Sequence, residues 1–331
     1  MVKQLAFGLA PSLPRLRRTR GVRAAYKASR GICFRGDSLP WLKSMPDESV
    51  DLVLTSPPFA LNRKKAYGNE PESSYVEWLL PFADEVWRVL KPTGSFVLEL
   101  GSAWMPGRPT RSLYQFKVLL ALTGRSDKAF HLAQDFYWYN PARLPSPAQW
   151  VTIDRVRIKD SVSPIWWLSK TEHPKANNRD VLKEYSSAQH ALYKNGFNAG
   201  LRPSNHRVSK EAFNRNNGGS IPSNLLPIEN LLTVANTSSS DRYLKACRER
   251  GMLVHPARFP SEIPHFFISF LTEVGDVVVD PFSGSNSVGA TAEDLQRRWL
   301  SCDLDLDYVK GSRYRFDPVP TLLPLGKVDI S

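Results

Sequence analysis

One stretch restricts the possible folds of this 331-residue chain more than any other: residues 276–303 read as strand, turn, helix, strand, acid. Asp276-Val277-Val278-Val279-Asp280 is a short apolar run of the kind a buried strand makes. Pro281-Phe282-Ser283-Gly284-Ser285-Asn286-Ser287-Val288-Gly289 follows and opens a helix expected to reach about Arg297. Trp299–Cys302 is a second strand, ending in Asp303, 23 residues after Asp280. This is the first βαβ unit of a nucleotide-binding sheet. Small residues let the backbone approach a ligand at the helix N-terminus, and an acid about twenty residues on can hydrogen-bond ribose hydroxyls. The turn is not G-x-G-x-x-G, and its Asp-Pro-Phe opening leaves no cradle for a diphosphate. An adenosine ligand without phosphates fits better, which favours S-adenosyl-L-methionine over NAD. Asp280, Pro281, Phe282, Ser283, Gly284, Ser285, Asn286 and Asp303 are the candidate cofactor residues.

Position adds a topological constraint. Only 28 residues follow Asp303, too few to complete an open α/β sheet, while strands expected at 31–37, 50–54 and 95–100 lack partners. The simplest closure sets a helix at 306–316 beside the strand that begins at Gly31. The expected fold is therefore α/β: a Rossmann-like sheet, circularly permuted, with the cofactor turn late in the chain and the chemistry early. Asp37, ending its strand, would lie beside Asp303 over the adenine of the cofactor.

The chemistry is expected at Thr55-Ser56-Pro57-Pro58-Phe59, which follows the apolar strand Val50–Leu54. Two prolines end that strand, since neither can donate to a sheet ladder. Ser56, Pro57, Pro58 and Phe59 then sit beyond a strand's carboxyl end, where open α/β sheets bind ligands. The Ser hydroxyl and a proline carbonyl can accept hydrogen bonds from a planar amino group while the Phe ring stacks on its heterocycle. A plain Pro-Pro turn over a core Phe is the structural alternative. Glu99 stands inside the apolar strand Ser95–Leu100, where an acid without a role is costly. It is a candidate proton relay, the alternative being a strand-end carboxylate reaching solvent.

Composition bounds the rest. No run of 18 apolar residues occurs, so no membrane span is expected. The three cysteines, Cys33, Cys247 and Cys302, form neither a metal-ligand pattern nor a disulfide framework, which fits a reducing cytoplasm. None follows a proline, so the chain presents no Pro-Cys nucleophile. Net charge is +12, with +8 in residues 1–30 and +5 in residues 172–254, a distribution that suggests a polyanion partner. Residues 1–30 are expected to form a disordered basic arm. Residues 172–254 dissolve into short Asn/Ser/Gly-rich pieces and are expected to form a second, irregular domain. Gly36-Asp37-Ser38-Leu39 spells the opening of an esterase-lipase pattern, but no histidine has an Asp three residues before it, so that reading lacks its catalytic pair.

Three ordered motifs resemble the amino-methylating DNA methyltransferases of the permuted (beta) order: Thr55–Phe59, then His255-Pro256-Ala257-Arg258-Phe259-Pro260, then Asp280–Asn286. The middle one looks like the family's methionine-contacting motif, so Phe259 and Pro260 join the candidate cofactor residues, as does Thr55 of the first motif. Phe136–Pro141, Trp166–Thr171 and Asn217–Pro222 are similar to stretches of a cytosine-N4 enzyme of that family. Ser283 stands where the family often has Gly, and Glu99 where an Asp is more usual. The resemblance covers roughly 31–316. It implies a catalytic domain of 31–171 plus 255–316, a target-recognition domain at 172–254, and a tail at 317–331. It further implies base flipping on double-stranded DNA, with Trp138, Trp166 and Trp167 lining the base pocket or filling the core. His206, Arg207, Asn216 and Asn217 are candidate base readers. N4-cytosine is the implied acceptor, with N6-adenine and an RNA base as alternatives. The site CAGCTG, a restriction endonuclease as functional partner, a monomeric state and a cytoplasmic location are also implied.

Overall fold

The structure is a computed structural model and describes residues 12–60, 70–141, 143–196, 200–201, 203–205, 207–208, 216–227 and 241–324. In chain order come β1 (Arg23–Lys27), β2 (Gly31–Arg35), α1 (Ser38–Lys43), β3 (Val50–Thr55), α2 (Tyr75–Val89), β4 (Leu90–Glu99) and α3 (Tyr114–Thr123). Two long strands follow, β5 (His131–Tyr139) and β6 (Val162–Ser169), then α4 (Ser187–Asn195) and the short strands β7 (Gly200–Leu201), β8 (Arg207–Val208) and β9 (Leu225–Pro227). The chain ends its regular structure with α5 (Arg242–Glu249), α6 (Glu262–Leu271), β10 (Val277–Asp280), α7 (Ser287–Asp294), β11 (Arg298–Asp303) and α8 (Leu306–Ser312).

All but β7 and β8 join one nine-stranded sheet in the order β1-β2-β11-β10-β3-β4-β6-β5-β9. The central strands β2, β11, β10, β3 and β4 are parallel, while β6 runs antiparallel to both β4 and β5. Such a sheet must be covered on both faces, and the strands supply apolar residues to both. Val53, Phe96, Leu98 and Trp166 pack under α1, α2 and α3 with Trp41, Leu79 and Tyr114. Leu52, Leu54, Val97 and Trp167 face the other way, onto Phe267, Val288 and Val309 of α6, α7 and α8. Each such side chain, fully buried, contributes about 1.5–3 kcal/mol relative to exposure.

The permutation is visible in the order of strands. β2 and β3 are consecutive among the central strands in sequence, yet β11 and β10 lie between them, with Trp299 opposite Gly31 and Val278 opposite Leu52. Gly31 is required at that seam, because a Cβ there would fall 2.2 Å from the Trp299 ring.

The expected disorder of residues 1–30 fails over 12–30. β1 pairs antiparallel with β2, Ala24, Ala25 and Tyr26 are buried, and Leu13, Leu16 and Val22 pack against the core. The strand went unseen because three small or apolar residues lie between Arg23 and Lys27, both exposed, in a segment whose composition is dominated by charge. Residues 172–254 are likewise less separate than composition suggests. The Lys175 ammonium donates to Asp276, β9 extends the main sheet, and α5 packs on the turn after α8 through Tyr243 and Arg315. Part of the expected tail is also ordered: Leu323 N–H donates to Ala25 O at 2.8 Å. His206 lies outside the described residues, as do residues 1–11 and 325–331.

Candidate active site

β3 ends as its sequence requires, and the chain turns through Ser56-Pro57-Pro58-Phe59 at the carboxyl edge of the sheet. The Ser56 hydroxyl donates to Glu99 Oε2 at 2.6 Å. Glu99 ends the neighbouring strand β4 and is only 2% exposed. Burial pushes its carboxyl up to about 7, against the pull of Ser56, Arg143 and Ser163 toward the anion. The Tyr75 hydroxyl donates to Pro58 O at 2.7 Å and fixes the second proline. Phe59 lies against Gly101, where a Cβ would meet its ring at 2.4 Å, so glycine there lets the ring pack flat against the chain.

On the adjacent strand, β10 ends in Asp280 and the glycine turn begins. Asp280 accepts from the Thr55 hydroxyl at 2.6 Å and from Phe282 N–H at 3.1 Å, and burial pushes its carboxyl up to about 7. Gly284 adopts φ +49, a left-handed conformation that favours glycine, and a Cβ there would press on the His255 ring at 3.0 Å. Asn286 is also left-handed (φ 55) and caps α7 by accepting from Gly289 N–H. Its Nδ2 donates to the Tyr26 hydroxyl at 2.9 Å, and that hydroxyl shares a 2.7 Å hydrogen bond with Ser312 Oγ. Asp303 Oδ2 accepts from Gly284 N–H at 2.6 Å and Oδ1 from Asp305 N–H at 2.9 Å. Gly36 N–H donates to Asp303 O, which sets Asp37 and Asp303 side by side at adjacent strand ends.

Both corners open into one cleft of about 1460 Å³. Ser56, Pro57, Pro58, Phe59 and Glu99 line one part of it, and Asp37, Phe259, Asp280, Pro281, Phe282, Ser283, Gly284, Ser285 and Asp303 another. Thr55, Asn286 and Pro260 are not among the lining residues. Thr55 and Asn286 are buried and spend their side chains holding the two corners, and the Pro260 carbonyl accepts from Ile263 N–H at the start of α6. Trp138 lines the cleft, whereas Trp166 and Trp167 fill the core on opposite faces of the sheet. Sequence reasoning missed Ser38, whose hydroxyl donates to Pro281 O, and Tyr308, whose ring meets His255 edge-on at 4.5 Å. It also missed Arg143 on the cleft wall. No period or motif marks Tyr308 or Arg143, and the one pattern that includes Ser38, Gly36-Asp37-Ser38-Leu39, points to a different chemistry.

The cleft fits a cofactor of the S-adenosyl-L-methionine kind. The turn is shaped by a left-handed glycine, two carboxylates lie at adjacent strand ends, and the buried Ser283 hydroxyl has no protein partner among the described residues. Asp37 and Asp303 would hold the adenosine, and the 280–285 turn would let the backbone come close.

A permuted, doubly wound sheet with a glycine turn and a Ser-Pro-Pro-Phe corner opening into one cleft defines a Rossmann-like methyltransferase. The chain belongs to the DNA methylase family, whose pattern it matches over residues 50–313. It is 47% identical over 299 residues to the type II methyltransferase M.PvuII of Proteus hauseri, covering 89% of this chain and 86% of that one. The solved structure of the PvuII DNA methyltransferase, described as cytosine-N4-specific, superposes with a TM-score of 0.70 at 43% identity, covering 88% of each chain. A DNA modification methylase of Thermus thermophilus, solved in complex with S-adenosyl-L-methionine, is 20% identical with a TM-score of 0.52 over 88% of this chain and 94% of its own, and shares the fold.

Proposed function

We propose that this DNA methylase transfers a methyl group from S-adenosyl-L-methionine to the exocyclic N4 amine of a cytosine in duplex DNA. The observation that carries the reading is the hydrogen bond between Ser56 and Glu99, set beside Pro57, Pro58 and Phe59 in the cleft that also holds the glycine turn. The cofactor, when bound, supplies an electrophilic methyl group on a sulfonium. The protein's task is to make a poor nucleophile reactive. A cytosine amine is delocalised into its ring, and acceptors at Ser56 Oγ and the Pro57 carbonyl draw its nitrogen toward a tetrahedral geometry. Phe59 supplies a stacking surface that replaces the neighbouring bases of the flipped nucleotide. Glu99, buried and poised near neutrality, takes the surplus proton through the Ser56 hydroxyl.

The cysteines argue against ring-carbon methylation. All three are buried and none lines the cleft. Burial raises each thiol, Cys33 to about 12, so none offers a thiolate at neutral pH. Duplex DNA is the proposed substrate, CAGCTG the proposed site, and protection from a cognate endonuclease the proposed role, carried out by a monomer in the cytoplasm. No helix among the described residues is long and apolar enough to cross a membrane.

The test is incubation with methyl-labelled cofactor and duplexes carrying CAGCTG or scrambled sites, with parallel RNA, followed by nucleoside analysis. N4-methylcytosine confined to the CAGCTG duplex is expected. Label recovered only as 5-methylcytosine, N6-methyladenine or in RNA overturns the acceptor assignment.

A further inference from the structure

Arg143 stands in the loop between β5 and β6 and lines the cleft, yet nothing in the motif pattern accounts for it. Its guanidinium does not simply extend toward solvent. Nη2 donates to the Ser163 hydroxyl at 2.6 Å, and Nη1 reaches Val162 O at 3.4 Å. Ser163 is 1% exposed, stands two residues before Ile165, the strand partner of Glu99, and favours the ionised form of the Glu99 carboxyl. Because a guanidinium only donates, the Ser163 oxygen must accept from Arg143, which leaves its own proton for Glu99. Arg143 thus orients Ser163 beside Glu99, on whose carboxylate Ser56 converges from the other corner.

We propose that Arg143 is a positioning residue for the transfer: acting through Ser163, it favours the ionised Glu99 carboxylate and keeps it aimed at Ser56 to receive the substrate proton. This rests on the reading of Glu99 as proton acceptor. In that step the amine nitrogen forms its bond to the methyl carbon while the carbon–sulfur bond breaks and leaves its pair on sulfur. The nitrogen sheds one proton to Ser56 Oγ, the Ser56 proton passes to Glu99, and the neutral acid later releases it to water. No other group facing Glu99 among the described residues can do what Arg143 does. Tyr75 of α2 and Tyr114 of α3 lie near the carboxylate, but both phenols are raised by burial and stay neutral. Ser56 and Ser163 carry no charge. Arg143 is the cation that favours the ionised acid. The sulfonium of the bound cofactor is common to wild type and variants and cancels from their comparison.

Removing the cation must raise the carboxyl and move the requirement for an ionised Glu99 to higher pH. The experiment follows kcat against pH at saturating cofactor and DNA for wild type, Arg143→Met, Arg143→Lys, Ser163→Ala and Glu99→Gln. The Glu99 carboxyl band is titrated in parallel on the free enzymes by infrared difference against Glu99→Gln. On the free enzyme the expected wild-type infrared midpoint lies near 7. Arg143→Met should move both midpoints up by about one unit, costing about tenfold in rate below the midpoint and little on the alkaline plateau. Ser163→Ala should shift the same way, and Arg143→Lys should restore most of the wild-type midpoint. A loss of rate that is equal at every pH, with an unmoved infrared midpoint, overturns the proposal and leaves Arg143 as an anchor for the loop or a contact to the base. A fully active Glu99→Gln sinks the proton-path reading itself, and the infrared midpoint then still decides whether Arg143 holds the carboxylate.

Discussion

At the scale of residues, the site concentrates two carboxyls, Glu99 and Asp280, that burial pushes up to about 7. Both therefore carry a proton in the folded state where the unfolded chain has lost it. Their contribution to stability is present in full below about pH 4 and is lost as pH rises through 7. Glu99→Gln removes one of these dependences, worth roughly 3 kcal/mol between the two limits. Calorimetry of the cofactor-free protein should show wild-type Tm falling from mildly acidic to mildly alkaline pH and the variant falling less; parallel curves would contradict the buried ionisation. Ser56→Ala, in contrast, should leave stability, cofactor affinity and DNA affinity nearly intact while kcat drops by orders of magnitude, as expected of an interaction realised in the transition state. Full activity in that variant would refute the mechanism. Glu99 was legible in the sequence because a lone acid in an apolar strand is conspicuous. Arg143 was not, because an arginine in a Pro/Arg-rich loop of a basic protein reads as one more contact to a polyanion.

At the scale of elements, the two functional corners are held by parts of the chain far from them. Thr55 ties the end of β3 to the end of β10, and Tyr26 of β1 supports Asn286 in the glycine turn. Tyr26→Phe deprives Asn286 Nδ2 and Ser312 Oγ of a partner in a buried place, at a cost of about 1–3 kcal/mol. The expected result is a lower Tm together with weaker binding of S-adenosyl-L-methionine, measured by calorimetry on the full chain. If Tm falls and cofactor affinity does not, β1 supports the sheet but not the turn. Strands β3, β4, β10 and β11 were readable because saturated apolar runs ending at Pro-Pro or at an acid have few other interpretations. β1 was hidden because its signal is three residues long, and β9 because a three-residue strand has no periodicity to detect.

At the scale of the whole molecule, the permutation was legible because the early apolar strands lack partners of their own and the late cofactor turn brings two strands that can pair with them. The domain boundaries were not, since α5 and β9 lie in a stretch that reads as irregular, yet β9 pairs with the main sheet and α5 packs beside its last helix. The basic segment near the amino end also needs a different test from deletion, which would remove β1. Replacing Arg15, Arg17, Arg18 and Arg20, all exposed, with Gln leaves that strand intact. DNA affinity should weaken, and its logarithmic salt slope should fall by about 0.9 for each phosphate no longer neutralised, with site preference unchanged. An altered preference would mean that this segment reads bases. The order of strands has one more consequence, which concerns synthesis. The middle of the sheet is made last: until residues 277–303 leave the ribosome, β2 and β3 have no common neighbour and belong about 14 Å apart, three strand spacings. A nascent chain therefore carries two open parallel edges through most of its translation, and neither corner of the cleft exists in working form before the final strands dock. Modification of DNA by this protein thus awaits the synthesis of β10 and β11.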